Sequence, residues 1–283
     1  MAHVLVIGSG PSGLSAALTL QQAGVSVTVA TTHHSSLQSA NLTGDLYGVS
    51  AKDGEALYRQ GVEQARQVGI TMVDGEITGL TKSAHTFTAA GQQPIDASAV
   101  ILATGKPHRY DLPNFAKHSH RLHLRAEEHA FVYRHQMVGV VGHGPYAFAQ
   151  VNLLTRHART VTLFTNGDDL LRFPPNMSIN RYPIRLFDTP DSPRTLPFEN
   201  GAKLNVDALL FADRTADAAD LCAGVGISCA NGIPPCTAQG ETPQKGLFVA
   251  GECAGLPFDL HELLYHGHKV GLATLQFLKN NTI

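Results

Sequence analysis

His3-Val4-Leu5-Val6-Ile7 runs directly into Gly8-Ser9-Gly10-Pro11-Ser12-Gly13, and Leu14 to Gly24 follows with Ala and Leu at helical spacing. An apolar run of strand length thus enters a G-x-G-x-x-G turn and leaves it as a helix. In that setting Gly8 permits a tight turn, Gly10 lets a pyrophosphate approach the backbone, and Gly13 lets helix and strand pack closely. The start of the helix turns unpaired N–H groups and the positive end of its dipole toward the phosphates. A second strand, Val25 to Ala30, completes the unit. The stretch reads as a dinucleotide site in an α/β fold.

Beyond Ala30 stands Thr31-Thr32-His33-His34, with no acid at the end of the second strand. A ribose-binding Asp or Glu is expected about twenty residues after the glycines, so hydroxyls or backbone must replace it if a ribose binds there. Residues 35–53 read as loop, 54–68 as helix and 70–73 as a short strand. Strand-like segments at 76–89 and 94–97 lead to Ala99-Val100-Ile101-Leu102-Ala103-Thr104-Gly105, an apolar strand ending in a small-residue turn.

A second unit of the same design follows: strand 138–141, a G-x-G-x-x-A turn from Gly142 to Ala147, helix 148–157 and strand 160–164. The repeat is one of architecture rather than of close sequence. Residues 172–200 suggest loops around a strand at 184–187, and 204–211 reads as one buried strand. Gly246 to Glu252 repeats the strand-into-glycine pattern, and 260–278 reads as a closing amphipathic helix.

The totals fit a soluble globular chain of one large or two modest domains: 283 residues, 43% hydrophobic, 16% charged, formal net charge −2. No basic excess points to nucleic acid or to an anionic membrane. The N-terminus enters a strand without a basic n-region or long apolar stretch, so a cytoplasmic location is expected. The four cysteines, Cys222, Cys229, Cys236 and Cys253, match neither C-x-x-C nor a zinc pattern and read as reduced thiols. Of fifteen histidines, six lie between His118 and His143; without carboxylate or cysteine partners at ligand spacing, no metal site is expected.

Three stations, Gly8–Gly13, Ala103-Thr104-Gly105 and Leu247–Glu252, resemble the FAD fingerprints of flavoproteins with two dinucleotide domains, Glu252 standing where Asp is usual. With the second glycine turn between them, the order resembles the low-molecular-weight thioredoxin reductases, class II pyridine nucleotide-disulfide oxidoreductases. Leu163-Phe164-Thr165-Asn166-Gly167 and the shape of residues 41–54 are closest to the branch containing gliotoxin-type dithiol oxidases. The resemblance implies two Rossmann-like domains of three-layer ββα type, the second inserted in the first. The FAD domain would comprise 1–110 and 241–283, the NAD(P)-binding-like domain 111–240. It also implies a homodimer, and FAD contacts at Gly8, Gly10, Pro11, Ser12, Gly13, Asn41 and Ile77. Further contacts would come from Ala103, Thr104, Gly105, Gly251, Glu252, His261 and Glu262.

The departures from the family are specific. Where it carries C-x-x-C, this chain has Arg125-Ala126-Glu127-Glu128-His129-Ala130, keeping the His and neither cysteine. A carboxylate or guanidinium cannot form a disulfide, so no dithiol relay runs through this position. Thr165-Asn166-Gly167 replaces the basic run that holds the 2′-phosphate of NADPH, and Asp168 or Asp169 comes late for a ribose hydroxyl. The closing helix starts Leu260-His261-Glu262 where reductases carry Arg-Gln-Ala near the flavin.

The expectation is therefore an FAD-dependent oxidoreductase acting on a small molecule, with NAD(P)H as a weakly supported donor and Glu128, His129 and His261 as catalytic candidates. Two alternatives remain open: a dithiol/disulfide oxidoreductase with relocated cysteines (Cys253 with Cys236 or Cys222), and a non-catalytic flavin-binding protein.

Overall fold

A computed structural model describes residues 2–40, 46–49, 53–106, 122–123, 130–167, 177–182, 184, 195–212 and 214–281. The chain packs as two compact units: Met1–His108 with Ala216–Ile283, and Arg109–Thr215.

In the first unit, β1 (His3–Ile7) leads through the glycine turn to α1 (Pro11–Gln22) and β2 (Ser26–Thr31). Then come α2 (Gly54–Gln67), β3 (Thr71–Asp74), β4 (Gly79–Ser83), β5 (Thr86–Ala90), β6 (Ile95–Ala97) and β7 (Ala99–Leu102). The second unit holds β8 (Leu122–His123), β9 (Met137–Val141), α3 (Pro145–Leu154), β10 (Thr160–Phe164) and β11 (Ser178–Asn180). It ends with β12 (Thr195–Pro197), β13 (Lys203–Asn205) and β14 (Ala208–Phe211). The chain then returns to the first unit with α4 (Ala218–Ala223), β15 (Leu247–Val249) and α5 (Leu260–Asn281).

A five-stranded parallel sheet, ordered β15-β7-β1-β2-β3, forms the first unit's centre. Val4 to Val6 are fully enclosed, as expected of a central parallel strand covered on both faces. β4, β5 and β6 make a separate antiparallel sheet. α1 opens with Pro11 in its first turn, where a missing N–H costs no helical bond. It buries Leu14, Ala16, Ala17 and Leu20, each large aliphatic contributing roughly 1.5–3 kcal/mol. α2 is capped by Asp53, whose Oδ1 accepts the Ala56 N–H at 2.7 Å. Its Tyr58, Val62 and Ala65 face inward at helical spacing.

α5 crosses α1 on small residues. A side chain at Gly267 would run into the backbone of Ser12, and one at Gly271 would meet Thr19 Cβ at 2.9 Å. This close approach brings the N-terminal half of α5 beside the glycine turn.

The second unit repeats the scheme with a parallel sheet ordered β11-β10-β9-β14-β8. Phe164 and Phe198 stack there with ring centroids 5.7 Å apart, inside a cluster with Val141, Leu196, Val206 and Leu209. The two-domain α/β architecture is thus as expected.

Several elements differ in detail from the sequence expectation. Residues 35–53 contain a 3-10 turn, Ser36–Ser39, held by a capping box from Ser35 and Gln38. Helix α3 starts at Pro145 rather than at 148, because proline fits a first helical turn. Residues 204–211 form two strands in different sheets; β13 is exposed throughout and the chain bends before β14. Of the strand expected at 184–187, Ile184 bridges Phe198 and 185–187 lie outside the described residues.

Packing places the first crossing between units after 108 and the second after 215, against the expected 110 and 240. Residues 216–240 rejoin the first unit because α4 ends against β4, where a Cβ on Gly224 would collide with the Leu80 carbonyl.

Candidate cofactor site

The glycine turn occupies the carboxyl end of β1. Gly8 sits at φ +111°, a left-handed backbone that side chains rarely adopt, and its N–H donates to the Ala30 carbonyl at 2.9 Å. A Cβ there would strike the Ala103 carbonyl, and one at Gly13 would strike the Gly8 carbonyl. Both glycines are therefore demanded by the polypeptide itself. Gly10 is different. It has an ordinary extended backbone, φ −69° and ψ 179°, and caps α1 without a side-chain hydrogen bond. Only Ser35 Oγ, at 3.3 Å, stands near its missing Cβ.

Under the turn lies a cluster of hydroxyls. Ser9 Oγ is 2.5 Å from Thr31 Oγ1 and 2.7 Å from Tyr58 Oη, all buried. Thr31 Oγ1 also accepts the His33 N–H at 2.9 Å. The Thr31 hydroxyl, a candidate to replace the absent acid at the end of β2, is thus engaged inside the fold. Beyond it His33 Nε2 donates to Asp74 Oδ1 at 2.8 Å, so an imidazole–carboxylate pair stands where β2 and β3 end.

The second station closes over the first. Thr104 Oγ1 is buried beside the Cys253 sulfur and makes no hydrogen bond of ordinary geometry. The Cys253 thiol is enclosed and donates to the carbonyls of Leu102 and Ala250 at 3.3 and 3.2 Å. Burial pushes its pKa up to about 11, which leaves it a protonated, unreactive thiol.

At the third station Gly251, φ +80°, starts a 3-10 turn through Ala254 that contains the half-buried Glu252. The Gly251 N–H donates to Nδ1 of buried His266 at 3.0 Å, and Ser12 Oγ donates to the Leu263 carbonyl at 2.8 Å. Burial, aided by Lys269, lowers the His266 pKa from its ordinary value.

The structure brings Gly8, Gly10, Pro11, Ser12, Gly13, Ala103, Thr104, Gly251 and Glu252 into one unit around the α1 N-terminus. Ile77 is buried in the same unit. His261 and Glu262 lie exposed in the first turn of α5, where Asp259 Oδ1 accepts the Glu262 N–H at 3.0 Å and sits 3.9 Å from His261 Nδ1. Asn41, Glu128 and His129 lie outside the described residues. Sequence reading missed Tyr58 and His266. Tyr58 and His266 sit at inward positions of amphipathic helices, a weak signal that never names their hydrogen-bond partners.

In the second unit, the side chain that Gly144 lacks would point into open space. Asn166, φ +54°, accepts the Ile184 N–H with Oδ1 at 2.9 Å, and the Gly167 N–H donates to the Arg181 carbonyl. The turn after β10 is thus tied into its own unit. Among the described residues no group of three metal-ligating side chains comes together, and no helix is long and apolar enough to cross a membrane.

These features match known proteins. A thioredoxin reductase of Streptomyces coelicolor is 28% identical over 179 residues, 59% of this chain and 55% of that protein. A glucosaminate ammonia-lyase of Pseudomonas fluorescens is 31% identical over 176 residues, 57% and 52% respectively. The chain thus spans about half the length of the curated relatives it matches. Among solved structures, the atypical thioredoxin reductase TRi of Desulfovibrio vulgaris Hildenborough superposes with a TM-score of 0.86, at 23% identity and 99% coverage of both chains. A ferredoxin-flavin thioredoxin reductase of Clostridium acetobutylicum reaches 0.68 at 22% identity, covering 99% of this chain and 100% of its own. At such identities these likenesses speak for the fold. The model of the pyridine nucleotide-disulphide oxidoreductases matches residues 2–182, and with these matches the chain belongs to that family.

Proposed function

We propose that the protein is an FAD-dependent oxidoreductase on a thioredoxin reductase scaffold, acting on a small molecule without the family's dithiol relay. The observation that carries this reading is Gly10, whose missing side chain the polypeptide itself does not require. A phosphate lying against the start of α1 supplies the reason. The buried Thr104 hydroxyl, lacking an ordinary partner, fits the same ligand.

In this reading the α1 N–H groups hold the pyrophosphate and Glu252 takes a ribityl hydroxyl. Gly105, His261 and Glu262 line the ring, with Asn41 and Ile77 as further contacts. FAD bound there supplies redox chemistry that no side chain provides. The chain's part is to hold it, orient the substrate and move protons, for which Glu128 and His129 are the candidates by sequence position. Four cysteines without C-x-x-C spacing support the loss of the relay. That the relatives' names span a reductase and a lyase suits a scaffold whose chemistry varies. The protein is expected to be a cytoplasmic homodimer, with NAD(P)H a secondary donor.

The relocated pair Cys253 with Cys236 or Cys222 is not favoured, since the Cys253 thiol already donates to two carbonyls. The test is the visible spectrum of the purified protein, with release of FAD on denaturation, before and after anaerobic NADH or NADPH. A colourless protein that FAD cannot reconstitute overturns the proposal.

A further inference from the structure

At the carboxyl edge of the first unit's sheet, β2 and β3 run in parallel register with Thr31 opposite Asp74. The Gly75 N–H donates to the Thr31 carbonyl at 2.8 Å and ties the two strand ends together. Past Thr31 the chain turns at His33, whose φ of +60° lies in the left-handed region. The Thr31 hydroxyl holds that turn by accepting the His33 N–H at 2.9 Å, and His33 Nε2 donates to Asp74 Oδ1 at 2.8 Å. Both side chains of the pair are open to solvent, 43% and 74% exposed. An exposed pair of this kind adds little to stability, less than a left-handed backbone costs a residue with a side chain. Strain that stability does not explain collects at ligand sites.

The surroundings say which ligand. The stretch from Thr31 to Ser35 begins and ends against the glycine turn. Thr31 Oγ1 is 2.5 Å from Ser9 Oγ, and Ser35 Oγ stands 3.3 Å from the Cβ that Gly10 lacks. His33 lies midway along this stretch, beside the place of the phosphate. In a dinucleotide unit the end of the second strand supplies a carboxylate to a ribose hydroxyl. Here that end is Thr31, buried and engaged with Ser9. Packing brings the carboxylate of Asp74 to the same edge from β3, and among the described residues its Oδ2 makes no hydrogen bond.

We propose, resting on the FAD reading above, that Asp74 is the ribose-binding acid of this site, supplied by β3 in place of β2, with His33 as the residue that positions it. Asp74 Oδ2 accepts the 2′-hydroxyl of the adenosine ribose, while the His33 Nε2–H holds Oδ1 and so fixes the carboxylate plane. A carboxylate in that place accepts from a hydroxyl and repels a phosphate. The site therefore takes adenosine with a plain 2′-hydroxyl and rejects the 2′-phosphorylated form.

The test uses full-length protein stripped of flavin and titrated calorimetrically with FAD and with its 2′-deoxyadenosine analogue. Asp74→Ala is expected to bind FAD about 10- to 100-fold more weakly, the worth of a hydrogen bond to a charged acceptor. The unfolding midpoint of the stripped protein should stay at the parental value. The parent should lose a similar factor on the 2′-deoxy analogue, whereas Asp74→Ala should bind the two dinucleotides alike. His33→Ala should lose part of the FAD affinity, and His33→Gln, whose amide N–H can reach Asp74, should recover it. An Asp74→Ala protein that binds FAD as the parent does, or keeps the parental preference over the 2′-deoxy analogue, overturns the assignment and leaves the FAD reading standing. Equal losses in His33→Ala and His33→Gln overturn the positioning role. A parent that binds neither dinucleotide overturns the FAD reading and this inference with it.

Discussion

Gly251 and His266 are joined by a backbone-to-imidazole hydrogen bond of 3.0 Å, which pins the turn containing Glu252 to the second turn of α5. Because the Gly251 N–H is the donor, Nδ1 must be unprotonated and the ring neutral. Burial, with a smaller push from Lys269, keeps the imidazole neutral by lowering its pKa from 6.5.

The sign of the pH effect follows. Between the lowered folded pKa and 6.5 the unfolded chain binds more protons than the folded one. The contribution of His266 is complete above the unfolded value and is lost as pH falls through the folded value. Thermal unfolding should show stability declining as pH drops below about 6.5. The decline should be absent in His266→Asn, whose amide oxygen accepts the same N–H without titrating. His266→Ala should cost about 1–3 kcal/mol by leaving a buried donor unpaired. A parent protein whose midpoint is flat across this range would contradict the assignment.

Gly10 and Gly13 should separate folding from binding. Gly13→Val drives a side chain into the Gly8 carbonyl and should lower the unfolding midpoint severely. Gly10→Val meets only Ser35 Oγ and should unfold near the parental midpoint while retaining no FAD. Both quantities are read from one preparation, by calorimetry and by the absorbance of released flavin. Full FAD content in Gly10→Val would remove the phosphate role.

The electron donor can be addressed by anaerobic stopped flow. With Asn166 engaged by Ile184 and no basic run beside it, NADPH should bleach the flavin slowly and without strong preference over NADH. Fast, saturable bleaching by NADPH at micromolar concentration would show a 2′-phosphate site elsewhere in the second unit.

Glu128 and His129 are tested by the rate of flavin reduction by substrate. If the pair moves a proton, Glu128→Gln and His129→Ala should each slow that step by roughly 10²-fold at unchanged FAD content. Parental rates in both variants would turn attention to His261 and Glu262, exposed at the start of α5.

What the amino-acid order determines by itself is local. The β1–turn–α1 pattern, its repetition at 138–154 and the third strand at 247–249 follow from side-chain periodicity and glycine placement, which act over a few residues. Those signals identified the two-domain α/β scaffold, the glycine cradle and the absence of C-x-x-C. Tertiary packing decided the rest. The stretch at 204–211 carries a continuous apolar signal, yet its two halves join different sheets because each finds a different neighbour. Residues 216–240 return to the first unit because α4 finds β4 there. The partner of His266 is an N–H fifteen residues earlier, and the two meet only because glycines at 267 and 271 let α5 lie close on α1. Each of these pairings depends on where separate elements dock, and hydrophobic periodicity says which face of an element is inward without saying what it will touch.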